Sequence, residues 1–353
     1  MKAISLFSGC GGDTLGLERA GIEVVAFSEF NKAAIATHVQ NFPNSEHIID
    51  TTSKSSDITK IPNTIFQKYK GVDIIFAGFS CQGFSRAGKK KVDDPRNQLY
   101  QHFVRVTSQI KPRFIIGENV TGLVSMKSGP NEDDPLMLDI IRQAFRQIGY
   151  ELTYKVLEGV DYGVPQKRKR ILIVGWDTSR VAIDQAAFWA SVSAFGAAKA
   201  MTAQRSFVKA SLNGALLLTP NLVPEGFATY ALPVPNDTVV EGTPHPFVTL
   251  KANERLLSCS KRDSPVHSEI INLDAPSKTI ICTYDHQPRL LVGLRKPNGH
   301  SYVRTLRPDE LKQIQGFPAE FVITGSLKEQ ITQIGNAVPP ALVEAVASTL
   351  KAF

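Results

Sequence analysis

The chain has 353 residues, 42% hydrophobic and 21% charged, an ordinary globular composition at a length where one core usually stops growing, so two domains are expected. Forty Lys and Arg against 33 Asp and Glu leave a formal net charge of +7 and a pI near 9.1, which suits a polyanionic partner without requiring one. The cysteines, Cys10, Cys81, Cys259 and Cys282, form no Cys-x-x-Cys pair and have no His at metal-ligand spacing beside them, so neither a disulfide framework nor a metal site is expected. The first residues are too short and polar for a secretion signal, and no apolar stretch approaches membrane-spanning length. A reducing, cytoplasmic setting with no membrane partner follows as the expectation.

Strand-like apolar runs occupy residues 3–7, 24–27, 72–77 and 114–117, then 154–157 and 171–175, with amphipathic segments between several of them. Such alternation predicts an α/β protein with a mostly parallel, doubly wound sheet covered by helices on both faces. After Trp176 the character changes. Residues 181–195 read as one Ala-rich helix, and 218–247 are scattered with Pro, Gly, Asn and Thr, as in loops and short strands of a smaller, irregular domain. Lys251, Arg255, Lys261 and Arg262 form a basic stretch that is either a solvated face or a contact surface. Pro339-Pro340 then introduce a helix over 341–350. The expected division is a large domain over 1–176, completed by 325–353, and a small domain over 177–324.

The chemistry-bearing residues gather where strands end. The first strand runs into Phe7-Ser8-Gly9-Cys10-Gly11-Gly12 and a helix over 13–20, a Gly-rich turn that lets a ligand approach backbone at a helix N-terminus. It is not the dinucleotide fingerprint, because Thr14 stands where that pattern needs Gly or Ala. Glu29-Phe30 close the second strand, where an acid can take both hydroxyls of a ribose. Asp57-Ile58 can offer a carboxylate to an adenine amino group and an apolar face to its ring. The run 72–77 leads into Gly78-Phe79-Ser80-Cys81-Gln82-Gly83-Phe84, which presents a thiol beyond the carboxyl end of a buried strand, the edge at which open α/β sheets bind ligands. Glu118-Asn119-Val120 arrive on the same edge. In Gln166-Lys167-Arg168-Lys169-Arg170, alternation puts Gln166, Arg168 and Arg170 on one side, as an anion or carbonyl clamp or as a solvated basic run.

A thiolate, a carboxyl and an arginine around one site suit attack on an electron-poor ring. A thiolate can add to C6 of a cytosine if Glu118 keeps N3 protonated and Arg170 donates to O2, which makes C5 nucleophilic. A methyl donor bound by residues 7–12 and Glu29 would sit beside C5, and loss of the C5 proton would expel Cys81. A base inside a duplex cannot be reached this way, so it must swing out.

In this order the blocks resemble the DNA cytosine-5 methyltransferase family of restriction-modification type, over nearly all of the chain outside 177–270. The resemblance extends to Arg304 through Glu310, to Gln315-Gly316-Phe317-Pro318, and to Gln333-Ile334-Gly335-Asn336-Ala337-Val338-Pro339-Pro340. It implies the class I S-adenosylmethionine-dependent methyltransferase fold, Rossmann-like, with a target-recognition domain at about 177–301. It implies Cys81 as nucleophile with Gln82 beside it, Glu118 on N3 and the exocyclic amine, and Arg168 and Arg170 around a flipped cytosine. It also implies S-adenosylmethionine held by Phe7, Ser8, Gly9, Cys10, Gly11, Gly12, Glu29, Phe30, Asp57, Ile58, Gly78, Asn336 and Ala337. Asp50 competes with Asp57, because the 45–56 connection is long. Residues 85–96, with Ser85, Arg86, Lys89 and Arg96, resemble the loop that closes over DNA, whose cations meet phosphates. Two departures stand out: Ser80 replaces the usual Pro, and Arg307 replaces a common Thr. The implied partner is double-stranded DNA, bound by a monomer, with room for a cognate restriction endonuclease acting on the same site. The alternatives are the family's tRNA branch, whose Cys-Phe-Thr signature has its nearest counterpart in Cys282-Thr283-Tyr284, an inactive DNA-binding homologue, and a nicotinamide oxidoreductase.

Overall fold

The apolar runs of the first half become one seven-stranded sheet in the computed structural model, which describes residues 1–79, 98–199, 204–245, 250–253, 256–258 and 268–353. Its strands are β1 (Lys2–Leu6), β2 (Glu23–Ser28), β3 (Glu46–His47), β4 (Ile74–Ala77), β5 (Phe114–Asn119), β6 (Tyr150–Glu158) and β7 (Lys169–Asp177). The order is β3-β2-β1-β4-β5-β7-β6. Neighbours from β3 to β5 are parallel, and β7 runs antiparallel to both β5 and β6. The order turns back between β1 and β4, which opens a crevice beyond their carboxyl ends. The chain thus has the expected Rossmann-like, mostly parallel architecture.

Both faces of this sheet are buried, as continuous apolar strands require. On one face, α4 (Leu99–Ile110) and α5 (Met137–Arg146) set Phe103, Val106, Ile141 and Phe145 against Ile4, Leu6, Ile75 and Ile115. On the other, α1 (Gly12–Arg19), α6 (Gln185–Ala197) and α10 (Pro340–Leu350) set Leu17, Phe188, Val192 and Val346 against Ala3, Ile74, Phe76 and Ile116. Helix α1 can lie close to α10 because Gly16 has no side chain; a Cβ there would meet the Pro340 carbonyl oxygen at 2.5 Å. Two further helices, α2 (Lys32–Asn41) and the short α3 (Asn63–Phe66), follow β2 and precede β4.

The smaller part is built on the hairpin of β13 (Leu290–Arg295) and β14 (Ser301–Thr305), flanked by β8 (Leu216–Leu217), β9 (Leu232–Pro233) and β12 (Glu269–Ile270). A separate pair, β10 (Lys251–Asn253) and β11 (Leu256–Ser258), and the short α7 (Phe227–Tyr230) lie beside it. Its core joins Val292, Leu294 and Tyr302 to Leu311 and Ile314 of α8 (Pro308–Ile314) and to Ile331 and Ile334 of α9 (Leu327–Asn336). A buried ion pair fastens α8: the Arg304 guanidinium reaches both Glu310 oxygens at 2.7 and 2.8 Å, and Glu310 also accepts from the Lys209 and Arg307 backbone.

The packing crosses the division expected at 177 and 325. Helix α6 belongs to the large sheet, where Trp189 Nε1 also donates to Thr153 Oγ1 at 2.9 Å. Helix α9 packs on the smaller core, so α10 is what completes the larger one. The helix expected over 181–195 starts later because Asp184 caps it, accepting from the backbone of Ala186 and Ala187.

Two buried positions support the crevice. Gly335 lies on α9 where a Cβ would meet backbone atoms of Cys282 at 2.5 Å. Gly335→Ala must therefore separate α9 from the 281–282 segment and is expected to cost about 1–3 kcal/mol, seen as a lower melting temperature; an unchanged melt would mean the two segments can part freely. Beneath the Gly-rich loop, the Ser5 hydroxyl donates to Asp13, both groups being buried. Burial pushes Asp13 up to about 7, against the pull of the Ser5 hydrogen bond. An unfolded Asp ionises near pH 4, so between about pH 4 and 7 the folded chain holds the extra proton and loses stability as pH rises. Melting curves of Asp13→Asn and the parent should diverge in the variant's favour from pH 5 to pH 8; a constant difference would refute the shifted carboxyl.

Candidate active site

Strand β1 delivers the Gly-rich loop into the crevice with three left-handed residues, Phe7 (φ 57°), Gly9 (φ 54°) and Gly11 (φ 90°). Such a torsion at Phe7 is strained for a side chain of that size. The glycines serve different ends. Among the described residues, nothing beyond its chain neighbours lies within 4 Å of where a Gly9 side chain would start, so this backbone borders open space. A Cβ on Gly11 would meet Phe42 at 2.5 Å, and one on Gly12 the Val338 carbonyl oxygen at 2.4 Å, so both serve packing. Cys10, expected among the ligand-facing residues, turns its side chain into a core with Phe42, Phe317 and Phe321. Its Sγ lies 3.7 Å from the Gln333 carbonyl oxygen, and burial pushes the thiol up to about 12. Ser8 Oγ is buried with no hydrogen-bond partner among the described residues.

The carboxylate of Glu29 is held across the mouth of this loop. Its Oε2 accepts from Gly9 N at 2.9 Å, and Oε1 accepts from Phe30 N and Asn31 N at 2.8 Å each. Three of about four acceptor positions are taken, which orients the group and leaves one for a ligand hydroxyl. Phe30 beside it is 70% exposed. Of the two competing acids, Asp50 is engaged in its own turn, accepting from Thr52 N and from Ser53 N and Oγ. Asp57 engages Oδ1 with Thr59 and, among the described residues, leaves Oδ2 with only Lys60, 3.7 Å away at the surface. Ile58 is buried in the large core. Asn336, at the end of α9, is exposed, and Ala337 after it is half-buried.

The parallel register Ala77↔Gly117 sets Gly78 beside Glu118. A Cβ on Gly78 would lie 3.6 Å from the Phe7 carbonyl oxygen and 3.9 Å from Glu118 Oε2, so the cofactor-side loop and the carboxyl share one wall. Oε1 of Glu118 is taken by Arg170 Nε at 2.8 Å, with both side chains 13% exposed. Arg170 reaches it diagonally, because Glu118 pairs with Leu172 across the antiparallel β5–β7 ladder. Burial raises Glu118 above the usual carboxylate range, opposed by the charges of Arg170 and then Arg168. Asn119, part of the Glu118 block but given no role from sequence, donates Nδ2 to the Phe79 carbonyl at 2.9 Å and so fixes the start of the segment leading to Cys81. Cys81, Gln82, Ser85, Arg86, Lys89 and Arg96, with Ser80, lie outside the described residues.

Arg168 is not where it was expected. It is 1% exposed, and its guanidinium donates to the carbonyls of Ile280 (3.0 Å), Gly335 (2.8 Å) and Ala337 (3.0 Å). Gln166 is equally committed, donating to Gln315 Oε1 at 2.7 Å and accepting from Ile280 N at 2.9 Å. Of the three residues on one side of this run, only Arg170 stands at the carboxyl.

The family model for C-5 cytosine-specific DNA methylases matches residues 1–215 and 240–352. The Type II methyltransferase M1.HphI of Haemophilus parahaemolyticus is 30% identical over 353 aligned positions, covering 98% of this chain and 86% of that protein. The Type II methyltransferase M.DdeI of Desulfomicrobium norvegicum is 29% identical, covering 99% and 88%. Among solved structures, a protein encoded within an E. coli prophage superimposes with a TM-score of 0.66 at 23% identity, over 100% of this chain and 99% of that one, a likeness of fold. With the family model spanning both parts of the fold and the crevice between β1 and β5, the chain belongs to the C-5 cytosine-specific DNA methylase family.

Proposed function

We propose that the chain transfers a methyl group from S-adenosylmethionine to C5 of a cytosine flipped out of a specific duplex DNA sequence, as the modifying half of a restriction-modification system. The observation that carries this reading is the orientation of Glu118: Arg170 holds Oε1, and Oε2 faces Gly78, where β4 gives way to the segment bearing Cys81. Among the described residues the crevice beside it fits the cofactor, with open space at Gly9, the unpartnered Ser8 hydroxyl, the oriented Glu29 carboxylate and the uncovered Phe30 ring. Phe7, Ser8, Gly9, Glu29, Phe30, Asp57, Gly78 and Asn336 would hold it, with Cys10, Gly11, Gly12, Ile58 and Ala337 contributing through backbone or packing. S-adenosylmethionine supplies an electrophilic methyl group when bound.

The residues of the chain then have separable tasks. Cys81 Sγ adds to C6 of the cytosine while a proton passes from Glu118 Oε2 to N3, and the electron pair so displaced makes C5 nucleophilic. Because burial raises Glu118, the carboxyl keeps its proton at a pH where an exposed glutamate has lost it. Arg170 orients that carboxyl and offers its remaining N–H groups to the cytosine O2. After methylation, water takes the C5 proton, the C5–C6 double bond re-forms as the Cys81 thiolate leaves, and N3 returns its proton to Glu118. Arg86, Lys89 and Arg96 would contact phosphates, with Ser85 and Gln82 around the nucleotide. The Type II names of the relatives support a partner endonuclease reading the same site.

The test is transfer of tritium from labelled S-adenosylmethionine to duplex DNA of mixed sequence, with tRNA as competitor. Incorporation into DNA that Cys81→Ala abolishes is expected; preferential labelling of tRNA, or none from folded protein, would overturn the reading. Glu118→Gln should slow turnover by about two to three orders of magnitude, the scale of losing one preorganised charge partner. The parent's rate should also fall as pH rises through the raised Glu118 value, and a rate indifferent to both changes contradicts the role given to the carboxyl.

A further inference from the structure

Arg105 touches none of the residues facing the crevice from β1, β2 or β5, yet it holds the segment that bears Asp57 and Ile58. It projects from α4, and its fork engages several acceptors. Nη2 donates to the Ile58 carbonyl at 2.7 Å, and Nη1 to the Ile61 carbonyl at 3.1 Å and Asn63 Oδ1 at 2.5 Å. Nε lies 3.3 Å from His102 Nδ1, and the guanidinium carbon sits 5.4 Å from the centroid of the Phe66 ring. The carbonyls of Ile58 and Ile61 have no other donor among the described residues. Residues 57–62 lie outside any helix or strand, so their shape depends on side-chain bonds of this kind. A planar cation with five donors in fixed directions suits that task, and a lysine cannot reproduce it.

His102 adds a second link to the same acid. By accepting at Nδ1 it carries its proton on Nε2, and the Asp57 charge acts on it against the lowering imposed by burial and by Arg105. Arg105 therefore holds the backbone of Ile58 directly and bonds the histidine that senses Asp57. We propose that Arg105 is a positioning residue for purine recognition, fixing Asp57 and Ile58 so that they distinguish an adenine amino group from a 6-oxo group. The proposal rests on the assignment of Asp57-Ile58 to the cofactor's adenine.

The experiment is calorimetric binding of S-adenosylhomocysteine and of its 6-oxopurine analogue, S-inosylhomocysteine, to the full chain, the Arg105→Met variant and the Arg105→Lys variant. The parent should prefer the adenosyl compound. Arg105→Met should weaken it on the order of tenfold, the scale of a lost charge-assisted hydrogen bond, with a much smaller loss for the inosyl compound, so that the preference collapses. Arg105→Lys, which can keep one donor on the Ile58 carbonyl, should fall between them and tests the proposal if the methionine variant does not fold. A preference retained in a folded variant, or equal losses for both compounds, would overturn the positioning role and leave methyl transfer standing. A parent that binds neither compound would instead overturn the methyl-transfer reading itself.

Discussion

The site depends on one buried cation. Arg168 enters a place closed to water and, among the described residues, donates to three backbone carbonyls from two distant parts of the chain and to no carboxylate. Burying a charge is costly unless its hydrogen bonds are replaced. Here the replacement comes largely from a helix end: Gly335 and Ala337 lie at the C-terminus of α9, where carbonyls lack helical partners and the helix dipole is negative. The third carbonyl, Ile280, comes from the segment against which Gly335 packs. One guanidinium thus satisfies the end of α9, ties it to the smaller domain and joins both to the chain entering β7.

The geometry around Glu118 is inherited from that joint. Arg170 lies two residues further along, where the chain has entered β7 and runs beside β5. Gln166 lies two residues earlier and reaches Gln315, whose own amide donates to the Ala337 carbonyl. The same alternation therefore sets Gln166 and Arg168 in the wedge between domains and Arg170 over Glu118. Burial weakens the protonation of both arginines, and the Glu118 charge opposes this in each. Two buried cations two residues apart are tolerable because Glu118 pairs with Arg170 and its charge also reaches Arg168. That accounts for an acid raised by burial yet pulled back by its neighbours, a balance the proposed proton donor requires.

Features set by local pattern were legible in the sequence. Apolar runs ending in Gly78, Glu29 and Glu118 announced parallel strands and the edge where the site lies, and Gly9 is the turn glycine that borders open space. Features set by distant partners were not. Nothing near Cys10 says that Phe317 and Phe321 will close over it, and nothing near Arg168 says that α9 will offer its last carbonyls. The packing of α6 was hidden for the same reason, since its partner is α10, far along the chain. Some signals were present but unread. Asn298-Gly299, with Gly299 at φ 92°, turns the β13–β14 hairpin, and Ser326 with Glu329 forms the capping box of α9.

The departure at Thr14 has a physical explanation that separates this crevice from a dinucleotide site. In that fingerprint the third glycine lets the helix pack tightly on the strand. Here Thr14 is fully buried, and its Oγ1 lies 2.9 Å from His38 Nε2. His38 stacks on Phe27 with ring centroids 3.7 Å apart, and burial lowers it to about 3, so the imidazole stays neutral. Phe27 stacks on its other contact, His47, whose Nε2 lies 3.0 Å from the Glu29 carbonyl oxygen. A threonine in place of glycine thus links α1, through two imidazoles and a phenyl ring, to the residue whose carboxylate meets Gly9. The helix is held by a filled polar contact instead of close backbone approach, and the same contact helps hold Glu29 in place.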